Sequence, residues 1–189
     1  MDASWVLLAV IAAVAILFIS LYNRIVALSQ RRKNAFSDID VQLKLRVDLV
    51  PNLVETVKGY AAHEKGVLET VTQARATAMQ GGSIAERAPA EAALGAAVMK
   101  LMAVAENYPQ LKADANFRQL QSELSDIENK IAAARRFFNN ATSEYNTAIQ
   151  QFPAVIIARM TGFKDEVFFE LSEAEKAAVK DAPKVSFGN

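Results

Sequence analysis

The chain has 189 residues, with 21 basic and 21 acidic side chains, one histidine and no cysteine. The lack of cysteine excludes disulfides, thiolate metal sites and cysteine nucleophiles, and a single histidine excludes a polyhistidine metal site. A formal net charge of zero provides no extended positive field for a polyanion, so we do not expect nucleic acid as a partner.

The first predicted element is an apolar segment long enough to cross a membrane. No charged side chain occurs from Ala3 to Asn23, and every residue from Trp5 to Leu21 except Ser20 is apolar. About 18 helical residues span roughly 27 Å, which is near the hydrocarbon thickness of a bilayer. We therefore predict a transmembrane anchor over residues 1–23. The residues expected to face lipid or its two interfaces are Trp5, Leu8, Ile11, Phe18 and Tyr22.

The charges that flank this segment predict its orientation. The start, MDAS, has no Lys or Arg, which argues against a cleaved secretory signal because such signals begin with a basic region. Basic residues follow the segment instead, at Arg24, Arg31, Arg32 and Lys33. Basic residues next to a span tend to stay in the cytoplasm. We expect a retained single-pass anchor with its N-terminus outside and residues 24–189 in the cytoplasm.

Beyond the anchor, apolar residues recur every three or four positions, as on one face of an amphipathic helix. They occupy positions 25, 28, 36, 39, 43, 50, 53, 57 and 60, while Arg32 and Arg46 take two places that would otherwise be apolar. Pro51 lies inside this pattern and removes one helical hydrogen bond. Because the apolar phase continues past Pro51, we expect a kink there rather than a helix end.

The middle of the chain reads as shorter helices separated by turns. Residues 61–80 keep helical spacing, and GGSIAERAP at 81–89 predicts a turn because it combines two glycines with a proline. An Ala-rich helix is expected at about 90–107. Pro109 should break that helix, and Asp114 can cap the next one.

The strongest helical pattern runs from Phe117 to Phe152, where eleven apolar positions keep the same phase. It predicts a helix of about forty residues that must lay one face on another helix. Pro153 should end it. The remaining residues suggest an apolar strap at 154–163, which we expect to pack on protein, followed by a short helix at about 172–180 and a tail.

These elements predict an all-α fold, in which the N-terminal transmembrane helix precedes an antiparallel bundle of the four-helix type with long amphipathic helices. Three regions follow: an anchor at 1–23, a bundle at 24–153 and a C-terminal part at 154–189. Two arrangements fit the lengths. The chain reverses near Gly59 to form the bundle, which we prefer because it buries the Ala-rich faces, or the first helix continues to residue 80 and forms a long hairpin.

No residue pattern predicts catalysis. His63-Glu64 lacks the second histidine four residues later that a zinc protease helix needs, and it also lacks the pairs of a di-iron site. No glycine-rich element resembles a phosphate loop. We therefore expect no cofactor, no metal, no small-molecule substrate and no enzymatic activity.

Two polar clusters are candidate interaction sites. The first surrounds Pro51 and contains Arg46, Asp48 and Asn52, which either dock a partner or satisfy carbonyls that the proline leaves free. The second lies on the last long helix. Its members are Asn129, Arg135, Asn139 and Asn146, and Asn139 is placed to bond across the bundle and fix its register.

Several strings together resemble the bacterial LemA family over nearly the whole chain. They are VQLKLRVDLVPNLVETVKGYAAHE at 41–64, ENYPQLKADANFRQLQSELSDIENKIAAARRFFNNATSEYNTAIQQFP at 106–153 and the ending GFK…FF…APKVSF. The resemblance implies an antiparallel helical bundle on a single membrane span. One departure is Leu45, which follows Lys44 where the family often has a second basic residue.

Two functional hypotheses follow. The first is a non-enzymatic scaffold, anchored in the bacterial inner membrane, that forms homo-oligomers and organises or shapes the membrane. The second is an adaptor that binds another membrane protein, such as a membrane protease. Mainly self-adducts on cross-linking would favour the first hypothesis.

Overall fold

A computed structural model describes residues 3–169 of the protein, and within that range the chain forms six helices and no strand. The helices are α1 (Ala3–Tyr60), α2 (Lys65–Ala78), α3 (Ile84–Ala105), α4 (Pro109–Ala113), α5 (Ala115–Gln150) and α6 (Ala154–Thr161). The all-α prediction is confirmed. The short helix predicted at 172–180 lies outside the described residues.

The described residues form two compact units. The first contains residues 3–40 and 132–168, and the second contains residues 41–131 and Phe169. Both α1 and α5 contribute a segment to each unit. The predicted division into a membrane anchor, a bundle and a C-terminal part stays a prediction.

The second unit is an antiparallel bundle of the C-terminal part of α1, α2, α3 and the first part of α5. Each helix turns its apolar face inward, because burial removes that face from water. These are the faces that the apolar spacing in the sequence predicted. Buried residues of this core include Val50, Leu53, Val57, Leu68, Val71, Leu94, Val98, Leu101, Phe117 and Leu124. The chain leaves α1 at Tyr60 and α2 packs back on it, so the break near Gly59 is confirmed and an unbroken helix to residue 80 is wrong.

Pro51 lies inside α1, which continues to Tyr60 as predicted. A proline cannot donate to the carbonyl four residues earlier, here that of Val47. In the structure, the Nε of Arg75 on α2 donates to this carbonyl at 2.8 Å. The oxygen is therefore satisfied by a neighbouring helix, and neither Asp48 nor Asn52 supplies the bond.

The predicted turn at 81–89 is too long, because α3 already begins at Ile84. The Glu86 carboxylate accepts hydrogen bonds of 2.8 Å from both the backbone N–H and the hydroxyl of Ser83. Ser-x-x-Glu is the capping-box pattern that starts helices, and it overrides the proline signal. Pro89 is thus incorporated into α3. The same bonds from Ser83 lower the pKa of Glu86.

The first unit is formed by residues 3–40 of α1, the end of α5, α6 and residues 162–168. The predicted strap at 154–163 is mostly helical, and it packs on its own chain, as expected. One buried cluster joins the three helices, and its members are Ile25, Tyr145, Ile149, Ala154, Ile157 and Ala158. Gly162 ends α6 in the left-handed conformation, with φ of 81°, which glycine adopts without steric cost.

Asp114 caps α5, as the sequence predicted. Its Oδ1 accepts the backbone N–H of Phe117 at 2.9 Å, and its Oδ2 accepts the hydroxyl of Tyr60 at 3.0 Å. The bond from Phe117 is the main reason that the pKa of Asp114 is lowered, and the bond to Asp114 raises the pKa of Tyr60. The charged carboxylate thus holds the end of α1 against the start of α5.

This cap predicts an acid-dependent loss of stability. Because the pKa of Asp114 is lower in the folded state, its contribution is complete above the unfolded pKa and disappears as the pH falls through the folded pKa. Asp114→Ala should lower the urea midpoint at neutral pH, and the difference from wild type should vanish in strong acid. Asp114→Asn, which keeps a capping oxygen, should lack this pH dependence. An Asp114→Ala deficit of the same size at all pH values would contradict the argument.

Candidate functional site

The N-terminal part of α1 is an apolar helix that the rest of the described chain leaves uncovered. Every residue from Ala3 to Ser20 is exposed. The exposed set includes the predicted lipid-facing residues Trp5, Leu8, Ile11 and Phe18, together with Tyr22. A helix that is apolar on all sides is stable only when something apolar surrounds it, and its length and composition suit a membrane span.

The helix α3 is also long and apolar enough to cross a membrane by length and composition. However, Leu94, Val98 and Leu101 of α3 belong to the buried core of the second unit. Glu91 adds a charged group to the same helix. The helix α3 therefore belongs to the bundle, and α1 contains the better candidate for a membrane span.

Arg32, predicted as a flanking charge of the span, is a buried cation of the first unit. Its Nε donates to the Thr142 hydroxyl at 3.2 Å, and its Nη2 lies 3.1 Å from the Glu166 carboxylate and 3.3 Å from the Val167 carbonyl. Its guanidinium carbon is 5.0 Å from the ring centre of Phe138. These partners offset the cost of removing the charge from water.

The other three flanking cations are exposed on α1. Arg31 forms an ion pair of 2.7 Å with Glu144 on α5, and its guanidinium lies over the ring of Phe137. Arg24 and Lys33 are exposed as well. All four cations follow the apolar segment within three helical turns, which is the arrangement that the orientation argument requires.

Asn146 binds the extended segment at 163–168. Its side-chain amide donates to the Glu166 carbonyl at 2.9 Å, and its side-chain oxygen accepts the Glu166 N–H at 2.9 Å. The Tyr145 hydroxyl donates to the Lys164 carbonyl at 3.1 Å, and Gln150 donates to Asp165 at 2.8 Å. Burial is the main cause that raises the pKa of Tyr145, with Glu166 next. The Asn146 side chain therefore forms two hydrogen bonds with the backbone of Glu166, as a neighbouring strand would.

Arg46 is the centre of a buried charge cluster in the second unit. Its side chain is 2% exposed; Nη2 lies 2.5 Å from the Glu91 carboxylate, and Nη1 lies 2.9 Å from that of Glu128. Nη2 also donates to the Glu91 carbonyl at 3.0 Å. A Cβ on Gly95 would lie only 3.3 Å from Nη1, so glycine leaves room for the guanidinium. One side chain thus joins α1, α3 and α5.

Sequence reasoning singled out Arg46 but missed Glu91 as its partner. The signal was present, because Glu91 precedes Leu94, Val98 and Leu101 at the threes and fours of one helical face. A carboxylate on the apolar face of α3 and an arginine on the apolar face of α1 are complementary, and burial of each charge favours a partner of opposite sign.

The remaining predicted interaction residues do not gather into one site. Asp48 is exposed and pairs with Lys44 on its own helix at 3.5 Å. Asn52 and Asn129 are exposed, whereas Arg135 is buried and Asn139 is half-buried. Their roles in docking a partner stay predictions.

No arrangement suited to metal binding occurs among residues 3–169, where no three His, Asp or Glu side chains cluster for an ion. His63 is exposed in the turn after α1, as expected for a histidine near a bend. Among the described residues, Glu91 pairs with Arg46 and Glu166 pairs with Arg32. These pairs hold separate segments of the chain together.

The sequence matches a model of the LemA family over residues 35–187. Magnetosome protein MamQ 2 of Paramagnetospirillum magneticum is 27% identical, over 86% of this chain and 69% of that protein. Magnetosome protein MamQ of Magnetospirillum gryphiswaldense is 26% identical, over 78% of this chain and 64% of its own length. Protein LemA of Metamycoplasma hominis is 26% identical, over 78% of this chain and 68% of that protein. These similarities and the exposed apolar helix indicate a membrane-associated helical protein.

The Arg46 cluster predicts a large loss of stability when the cation is removed. Arg46→Met leaves the Glu91 carboxylate buried without its partner, and breaking a buried pair in this way costs about 3–5 kcal/mol. Urea unfolding followed by circular dichroism measures it. Arg31→Met, which breaks an exposed pair, should cost at most about 1 kcal/mol. The double variant Arg46→Met/Glu91→Leu should recover most of the loss. Equal costs for the two single variants would contradict a structural role of the cluster.

The bonds of Asn146 predict a releasable C-terminal segment. Asn146→Ala removes two hydrogen bonds to Glu166, each worth about 1 kcal/mol, so residues 163–168 should detach more often. Trypsin should then cleave after Lys164 faster than in wild type, as followed by mass spectrometry. Asn140→Ala, which removes an exposed amide from the same helix, is the matched control. Identical cleavage rates in the two variants would contradict the assignment.

Proposed function

Because the chain belongs to the LemA family, we propose that it is a non-enzymatic scaffold anchored in the bacterial inner membrane. In this proposal it self-associates at the cytoplasmic face and organises or shapes the membrane there. One observation carries the proposal: an exposed apolar helix of membrane-spanning length continues, within α1, into a body of packed amphipathic helices.

The scaffold proposal is consistent with how two charged groups of the body are used. Arg32 and Arg46, the two cations on the apolar face of α1, are both buried and both paired with carboxylates of other segments. The guanidinium groups of both arginines therefore bind carboxylates of the same chain. Charged groups used for packing in this way suit a protein that acts by bringing molecules together.

Self-association is supported by apolar side chains that remain exposed on the body. They include Phe137 in the first unit and Val41, Leu45, Met79 and Met99 in the second unit. Single exposed apolar residues are ordinary. Attachment to a membrane changes their effect, because confinement to a plane raises the effective concentration and makes weak contacts sufficient.

The relatives support the same type of role. Proteins named for the magnetosome match most of this chain, and we extend from them only the expectation of a structural, membrane-associated protein. We infer no particular partner for this chain from these relatives.

The anchor and its orientation predict an asymmetric labelling pattern. The chain has no cysteine, so Ser4→Cys and Ser37→Cys each introduce a single thiol, on opposite sides of the apolar segment. In intact spheroplasts, a membrane-impermeant maleimide should label Ser4→Cys and should spare Ser37→Cys until the membrane is permeabilised. Labelling of both positions in intact cells would contradict a span, and the reverse pattern would contradict the orientation.

The scaffold role predicts oligomers of the full-length protein. Native mass measurement in detergent or nanodiscs should give species of several copies, and cross-linking in cells should give mainly self-adducts. The double variant Val41→Ser/Leu45→Ser tests whether exposed apolar residues contribute. A strictly monomeric protein at membrane-like density would overturn the scaffold. A single dominant foreign adduct would instead favour the adaptor hypothesis, in which another membrane protein is the partner.

A further inference from the structure

The helix α6 has two apolar faces, and only one of them is used within the first unit. Ala154, Ile157 and Ala158 are buried against α1 and α5. On the outer face, Ile156 is 51% exposed and Met160 is 72% exposed, and Phe152, just before the helix, is 82% exposed. Residues four apart lie on one face of a helix, so Ile156 and Met160 share a face of α6. We call these two residues the outer face of α6.

The packing of α6 places it beside the end of the predicted span. Its start, Ala154, belongs to the cluster that contains Ile25 of α1, and Leu21 packs against the same cluster. Beyond its end, the ring of Phe163 lies 5.9 Å from that of Tyr22. Both ends of the segment are thus level with residues 21–25, where the apolar run of α1 stops.

This level corresponds to the lipid headgroups. Leu21 is the last apolar residue of the run, and Ile25 lies about 6 Å further along the helix. The headgroup layer on each side of a bilayer is about 5–8 Å deep, from the difference between the total and hydrocarbon thicknesses. If α1 spans the membrane, α6 therefore lies within the headgroup layer, and its outer face presents apolar side chains at that depth.

The charges around α6 suit lipid phosphates. Residues 152–163 contain one charged side chain, Arg159, which is exposed, and Arg24 of α1 is exposed at the same level. Both are cations, and no carboxylate lies within 152–163. An apolar face bordered by arginines is the composition of helices that lie in the membrane interface and bind anionic lipids.

We propose that α6 is a lipid-binding helix of the inner leaflet, whose outer face inserts among the headgroups and upper acyl chains while Arg24 and Arg159 contact phosphates. The inference rests on the proposed anchor, and it adds a second attachment to the bilayer. A single span leaves a protein free to rotate and tilt, whereas two attachments hold residues 25–40 and the end of α5 at a fixed angle to the membrane.

The test uses a nitroxide spin label on the full-length protein in vesicles of phosphatidylethanolamine and phosphatidylglycerol. Met160→Cys carries the label on the outer face, and Ile156→Cys provides a second position if the first variant folds poorly. Ser37→Cys is the matched control, because Ser37 is exposed on α1 about 24 Å beyond Leu21. Collision with oxygen, which is concentrated in lipid, is compared with collision with a water-soluble nickel chelate. We expect a several-fold higher oxygen-to-nickel ratio at position 160 than at position 37.

The native Trp5, which is the only tryptophan of the chain, reports separately on the anchor through quenching by brominated lipids. Quenching of Trp5 together with a water-like label at position 160 would overturn the inference and leave the anchor intact. Unquenched Trp5 would overturn the anchor and the inference with it. Strong spin–spin broadening at position 160 would show that a second copy covers the outer face, and this result also excludes lipid as its occupant.

Discussion

The bundle of the second unit depends on how one buried positive charge is neutralised. Arg46 occupies a position on the apolar face of α1 where a leucine would complete the pattern, and it reaches Glu91 on α3 and Glu128 on α5. A buried pair of this type adds little net stability compared with well-packed apolar residues. Its effect is on specificity, because any register that separates Arg46 from Glu91 leaves two charges buried without partners.

The first unit solves a similar problem with different chemistry. Arg32 also interrupts the apolar face of α1, but its partners are a hydroxyl, a backbone carbonyl, one carboxylate and an aromatic ring. Two of these partners belong to residues 166–167, which Asn146 holds in place. The segment after α6 therefore packs on α1. It supplies hydrogen-bond acceptors and a negative charge for Arg32, which has no such partners within α1.

Local rules explain which elements the sequence could predict. The break after Tyr60, the end of α3 before Pro109 and the cap at Asp114 were all predicted, since each depends on a few adjacent residues. The helix α3 starts six residues before the predicted position, because the capping box formed by Ser83 and Glu86 outweighs the turn signal of Pro89. Of the candidate interaction residues, Arg46, Asp48 and Asn146 have partners within the chain, and Asn52 and Asn129 are exposed.

The helical periodicity, the apolar run before Asn23 and the similarity to one family are properties of consecutive residues, so the amino-acid order is enough to find them. Folding is required to bring Arg75 to the Val47 carbonyl, Glu91 to Arg46 and Glu166 to Arg32. These partners are 28, 45 and 134 positions apart along the chain. No local pattern identifies such pairs, since each charge could have been satisfied by any complementary group that folding brought within hydrogen-bonding distance.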